Sequence, residues 1–277
     1  TTDMWSISFD ERTASEDPQL VTENIGNIRP LGSIRNGSFY FSTPGSWWDI
    51  YTATIDPESG KVTKPPKEIP LPYQGYNYHP TWSPNGKYLA YVSVRRHLRK
   101  PNILCIYSKQ TGSIKEFVYD QDVNHPVWFP DSQSILLFGS DVLKIATGEL
   151  TPFIQLKKNK EIYSLIISSD NKYIYYATRN EDWTIHSIFS RNLESGKEKE
   201  LYNTTDINLT LALSPDGKQL VVLSRHNEDT RILKLLSTTE NSEKVIHTFM
   251  QNDFGYISLA WSPDGKYLLY LSRRGVI

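Results

Sequence analysis

The sequence predicts an all-β fold, a six-bladed β-propeller of four-stranded antiparallel blades whose ring is closed by N-terminal strands completing the last blade. Two observations carry the prediction. A phrase close to Trp-Ser-Pro-Asp-Gly-Lys-Tyr-Leu recurs at residues 82–89, 128–132, 167–174, 213–218 and 261–268. Its acid or amide position, Asn85, Asp131, Asp170, Asp216 and Asp264, advances by 46, 39, 46 and 48 residues, a period that suits four-stranded blades rather than paired-helix repeats.

Local chemistry supplies each element. In the full copies proline presets φ at the first turn position, Asp or Asn suits the second, and glycine accepts positive φ where the chain re-enters the ladder. Alternating strands such as 87–92 and 266–271 leave that hairpin. Third strands follow at 49–55, 102–107 and 183–188, and turns at 58–61, 110–113 and 194–197 open a fourth. The first unit is residues 34–42, where Asn36 stands 49 residues before Asn85 and the proline is lost. The third departs most, with a short link at Ser140-Asp141 and a stunted third strand at 142–146. The last has two strands of its own, 256–261 and 266–271, and segments 4–9 and 18–22 supply the others, leaving no open edge. Residues 1–277 are expected to form one domain.

Of the 277 residues 38% are hydrophobic and 22% charged, enough for a substantial core. The formal net charge of −1 gives the surface no overall bias toward nucleic acid or an acidic membrane. No apolar run reaches membrane-spanning length, so direct membrane insertion is not expected. Cys105 is the only cysteine, which excludes an internal disulfide, and in Ile-Leu-Cys-Ile it reads as a small hydrophobe. There is no Gly-x-Ser-x-Gly elbow, no His-Glu-x-x-His and no glycine-rich phosphate loop. No catalytic residue and no cofactor is assigned.

The first strand of every propeller blade lines the central channel. Six residues before each turn acid or amide stand His79, His125, Ser164, Thr210 and Ser258, all polar. Such a ring suits waters, a metal or a small polar ligand at the channel mouth. Two histidines without a carboxylate are too few to assign a zinc or manganese site, so His79 and His125 are metal candidates only. Asp122 and Glu161, near the same strand starts, are the acids that could add charge. The structural alternative is a hydrated ring that satisfies backbone groups.

Loops between second and third strands open on the same face. Arg95, Arg96 and Arg99 cluster there without a nearby acid in sequence, which suits an acidic ligand. Arg179, Arg225 and Arg273 stand at similar places, with Asp182, Glu228 and Asp229 as in-blade partners. Trp47, Trp48, Tyr73, Tyr76, Tyr78, Phe254 and Tyr256 add flat apolar area with polar edges. Trp82, Trp128 and Trp261 share one hairpin position and are expected in the core. The candidate ligand-binding set is Trp47, Trp48, Tyr76, Tyr78, Arg95, Arg96 and Arg99.

The repeated hairpin, followed by Asp49-Ile50-Tyr51, resembles the TolB-type six-bladed propeller repeats over nearly the whole chain. The Gly-His and Trp-Asp dipeptides of WD repeats are missing from the equivalent positions, which argues against a eukaryotic WD-repeat scaffold. The resemblance implies a bacterial, periplasmic or extracellular binding module for a protein, a peptide or a cell-envelope glycan. It also leaves open a carbohydrate-active lyase or hydrolase working at the channel mouth, or a sensor or gating domain tethered within a larger membrane or peptidase protein.

Overall fold

The structure, a computed structural model, describes residues 2–10, 13–14, 17–22, 29–33, 38–44, 48–56, 61–71, 73, 76–95, 102–119, 125–137, 141–153, 161–250 and 259–273. Every helix or strand among them is a strand. β1 (Thr2–Asp10), β2 (Thr13–Ala14) and β3 (Gln19–Thr22) come first. β4 (Arg29–Ser33), β5 (Ser38–Pro44), β6 (Trp48–Ile55) and β7 (Val62–Glu68) follow. Next are β8 (Tyr76–Trp82), β9 (Tyr88–Val94), β10 (Asn102–Ser108) and β11 (Ile114–Phe117). The third set is β12 (Val127–Trp128), β13 (Ser134–Leu137), β14 (Asp141–Lys144) and β15 (Leu150–Pro152). The fourth is β16 (Glu161–Ile167), β17 (Tyr173–Arg179), β18 (His186–Asn192) and β19 (Glu198–Thr204). β20 (Ile207–Leu213), β21 (Gln219–Arg225), β22 (Thr230–Ser237) and β23 (Glu243–Met250) precede β24 (Leu259–Trp261) and β25 (Tyr267–Arg273).

These strands form an all-β propeller of four-stranded antiparallel blades, in five sheets where six were expected. The difference has one local cause. A single parallel bridge, Trp48 to Tyr76, joins β6 to β8 and merges β4–β7 with β8–β11 into one eight-stranded sheet. β12–β15, β16–β19 and β20–β23 are separate meanders. The fifth sheet closes as expected: β1 pairs antiparallel with β25 from Thr2–Arg273 to Ser8–Tyr267, and β3 pairs with β1. The first strands touch in succession, β4 with β8, then β12, β16, β20 and β24, and β24 touches β4.

The recurring hairpin rests on one hydrogen-bond pattern. Ser83 Oγ donates to Asn85 Oδ1 at 2.8 Å, Asn85 Oδ1 accepts the Lys87 amide at 3.0 Å, and Ser83 Oγ accepts the Tyr88 amide at 2.9 Å. Ser168 with Asp170, Ser214 with Asp216 and Ser262 with Asp264 repeat it. In the third copy, where Phe129 replaces the serine, Asp131 instead accepts the amides of Gln133 and Ser134. Gly86, Gly217 and Gly265 take positive φ at the turn, and Ser132 and Asn171 are forced into the same region at 57° and 59°.

The core lies between neighbouring sheets. Ala90, Val92, Leu104 and Ile106 pack against Trp128, Ile135, Leu137 and Leu143. Val221, Leu223, Leu233 and Phe249 meet Ile7, Trp261, Leu268 and Tyr270. Each buried Val, Leu, Ile or Phe among them contributes about 1.5–3 kcal/mol by leaving water. Trp128 and Trp261 are buried as expected, whereas Trp82 is half-buried. Cys105 is fully buried, and burial pushes its thiol up to about 11, so it behaves as a hydrophobe.

Candidate functional site

Among the described residues four of the first strands carry a register shift, β4 between Pro30 and Gly32 and three others at or beside the expected channel ring. Those three fall between Tyr78 and Thr81, between Ile162 and Ser164, and between Ile207 and Thr210. A bulge turns side chains away from strict alternation. His79 and His125 sit at φ 51° and 47°, uncommon for residues other than glycine, and each directly precedes a proline. This backbone brings their rings to a centroid distance of 3.6 Å at an interplanar angle of 41°. Tyr78 meets His79 edge-on at 4.7 Å. Ser164 and Thr210 are half-buried, and Ser258 lies outside the described residues.

His125 keeps an exposed edge although protein atoms crowd around it, and that burial lowers its pKa. A neutral imidazole suits a close pair, since two imidazolium rings at this separation would repel. Among the described residues no group of three or more His, Cys, Asp or Glu is placed to hold a metal. Asp122 and the Glu161 side chain are outside the description.

The aromatic set is divided between recognition and packing. Tyr76 is half-buried and its backbone bridges Trp48. Tyr78 packs on the cluster around Val92 and Leu104 while touching His79. Tyr73 is 43% exposed, and Asn77 beneath it donates from Nδ2 to the Tyr73 carbonyl at 2.8 Å. Trp47, Arg96 and Arg99, with Phe254 and Tyr256, lie outside the described residues, as does the side chain of Trp48.

Arg95 departs from the expectation of a cation without an acid. It is 8% exposed, with Nη1 donating to Glu116 Oε2 at 2.9 Å and Nη2 paired with Oε1. Its Cζ lies 3.6 Å from the Tyr73 ring centroid. The acid arrives from β11, 21 residues later, where local sequence gives no sign of it. Arg179 Cζ stacks 3.6 Å from the Trp183 ring centroid, and Arg225 Nε donates to the Asn227 carbonyl at 3.2 Å.

Two polar clusters were not anticipated. Asp206, 4% exposed, accepts Ser224 Oγ at 2.8 Å and pairs with His226 Nδ1 at 2.8 Å. The hydroxyl points at the carboxylate rather than at the imidazole, so a nucleophile–base bond is not formed. Tyr163 Oη meets His186 Nδ1 at 2.8 Å. Burial lowers the His186 pKa, against a raising bond to the Trp183 backbone, and burial raises that of Tyr163, so the pair is neutral. Histidine and tyrosine types mark these positions in sequence, but their pairing spans 20 or more residues.

Geometry and topology together define the class: a propeller with a polar, aromatic-edged set of first-strand residues. No protein-family model matches the chain, and no curated protein matches its sequence. Solved structures do match the fold. A putative TolB from Agrobacterium tumefaciens aligns over 100% of both chains with a TM-score of 0.75 at 14% identity. TolB from Acinetobacter baumannii aligns over 99% of this chain and 64% of its own, with a TM-score of 0.64 at 14% identity. An oligogalacturonate lyase in complex with manganese aligns over 100% of this chain and 97% of its own, at a TM-score of 0.58 and 11% identity. The fold is that of a TolB-like propeller.

Proposed function

We propose that residues 1–277 form one six-bladed propeller acting as a non-catalytic binding module for a protein, a peptide or a cell-envelope glycan in a periplasmic or extracellular setting. The count of six takes the eight-stranded sheet as two blades joined at one bridge, a reading supported by the closed succession of first strands. One observation carries the binding role: Tyr78, His79 and His125 converge around a strained backbone that places two imidazoles 3.6 Å apart. Backbone strain kept at one face is characteristic of sites rather than of scaffolding. Trp47, Trp48, Arg96 and Arg99 belong to the same proposed face, and Ser164, Thr210 and Ser258 to the channel ring. Arg95 serves by holding Tyr73 rather than by touching ligand.

A thermal-shift panel of acidic and neutral oligosaccharides, short peptides, divalent metals and chelator tests the proposal, because a ligand that binds the folded state raises the melting temperature. Stabilisation that is lost in Tyr76→Ala, Arg96→Ala or Arg99→Ala supports the module. Stabilisation unaffected by all three moves the ligand elsewhere. The second reading, a lyase or hydrolase with His79 and His125 as base or metal ligands, is favoured by the paired rings. Turnover of an acidic oligosaccharide that disappears in His79→Ala and His125→Ala would replace the module reading.

A further inference from the structure

Trp183 is unexplained by the face just described. Its sequence context reads as strand, yet β18 begins at His186 and Trp183 stands in the turn before it. At 59% it is the most exposed large hydrophobic side chain among the described residues. It also adopts φ 61°, a region that a bulky aromatic enters only at a cost. Burial offsets little of that cost, because more than half of the side chain stays exposed. The corresponding loop of the next blade turns through Asn227, whose Oδ1 accepts the Asp229 and Thr230 amides at 2.8 Å, with no aromatic residue. The architecture does not call for a tryptophan here.

Hydrogen bonds fix the turn that carries the indole. Asn180 Oδ1 accepts the Ile185 amide at 2.9 Å, Asn180 Nδ2 donates to Thr184 Oγ1 at 3.0 Å, and Thr184 Oγ1 donates to Asp182 Oδ1 at 2.8 Å. The Arg179 guanidinium lies over the ring with Cζ 3.6 Å from the centroid. Ile185, 48% exposed, extends the apolar strip. A side chain ordered before binding loses less entropy when a ligand arrives.

Charge selects the ligand. Glu181 and Asp182, both exposed, precede the indole and disfavour an anion. Arg179 over the ring disfavours a second cation approaching the opposite side, one ring thickness away. A neutral ring with one apolar face and hydroxyl donors at its rim meets neither penalty. We infer that Trp183 is a stacking platform for a neutral pyranose unit of an oligosaccharide, with the Glu181 and Asp182 carboxylates accepting its hydroxyls. The inference rests on the binding-module reading and names a ligand class for it.

The test titrates the full chain with chitohexaose and with cellohexaose, followed through the tryptophan indole N–H resonances by NMR. The Trp183 signal is assigned by its loss in Trp183→Ala. A saturable shift of that resonance is expected with at least one sugar, with affinity at least about tenfold lower in Trp183→Ala and lower also in Glu181→Gln. Trp183→Gly should melt at the parent temperature or above, since glycine accepts the backbone angle, and should no longer bind. A lower melting temperature for Trp183→Gly would make the side chain structural and overturn the inference. So would silence with both sugars, or a Trp183 shift produced instead by hexa-arginine or by an oligogalacturonate. If the Trp183 resonance is unmoved while ligand stabilisation depends on Tyr76 or Arg96, this inference fails and the module reading stands.

Discussion

The indole Nε1 of Trp128 donates to the backbone carbonyl of Thr81 at 3.0 Å, tying one blade's hairpin to the first strand of the blade before it. Trp261 repeats the bond to Ala212 at 3.1 Å. The tryptophan of the repeat is therefore a tie between blades as well as a core filler. Trp128→Phe keeps most of the packing but leaves the Thr81 carbonyl without this donor, at a cost of about 1–3 kcal/mol. Trp128→Ala adds a cavity and should cost about 3–5 kcal/mol. Urea unfolding separates the two, and a Trp128→Phe variant as stable as the parent would show that the hydrogen bond contributes nothing.

Two residues forced to positive φ should respond oppositely to glycine. Asn171 is exposed, so Asn171→Gly relieves strain and should stabilise by up to about 1 kcal/mol. Ser132 is 3% exposed, and its Oγ accepts the Asn85 amide of the neighbouring blade at 3.1 Å. Ser132→Gly loses that acceptor and should destabilise despite the easier backbone. Melting temperatures that rise for both variants would show that the interblade bond is unimportant.

Stability should fall on mild acidification. Burial holds His125 and His186 below the ordinary value of 6.5, so the folded chain keeps both imidazoles neutral where the unfolded chain binds protons. The unfolded state then carries more protons, and stability is lost as pH drops from 6.5 toward the lowered native values. A further loss starts only below 3.8. There Asp170 protonates, held low by the Ser168 hydroxyl, as does Asp216, whose desolvation is outweighed by bonds from the Ser214 hydroxyl and the Lys218 amide. Melting temperature recorded against pH checks the sign, and His186→Gln should flatten the upper part of the curve.

The closing pairing is testable at single side chains. Met4 and Ile7 are 0% and 1% exposed on β1. Met4→Ala and Ile7→Ala should each cost about 2–5 kcal/mol, whereas a change at exposed Gln19 on β3 should cost little. Losses at Met4 and Ile7 no larger than at Gln19 would mean that the N-terminal strand is dispensable to the fold.

What the sequence revealed depended on the distance between partners. The Ser-Pro-Asp-Gly-Lys hairpin was legible because its hydrogen bonds join residues two to five apart. The channel positions His79 and His125 could be counted from it, but the meeting of their rings follows from a backbone reversal that no residue type announces. The partner of Arg95 is hidden from local sequence because Glu116 comes from a strand 21 residues away. The alternation of Trp-Thr-Ile-His-Ser-Ile predicts a strand from Trp183, whereas β18 begins at His186. The Asn180, Asp182 and Thr184 side chains capture the backbone into a turn first.

The pairing of Met4 with Leu271 also governs the order in which the molecule is made. A ribosome releases β1 long before β25 exists, so the strand must wait with its hydrogen-bonding edge bare while the intervening blades are translated. Final closure waits for β25 and joins distant parts of the chain, a slow class of folding step. Until it happens the nascent protein presents the β25-facing edge of β1 to its neighbours, and crowded synthesis or a stalled ribosome exposes that edge to capture by another copy's β25.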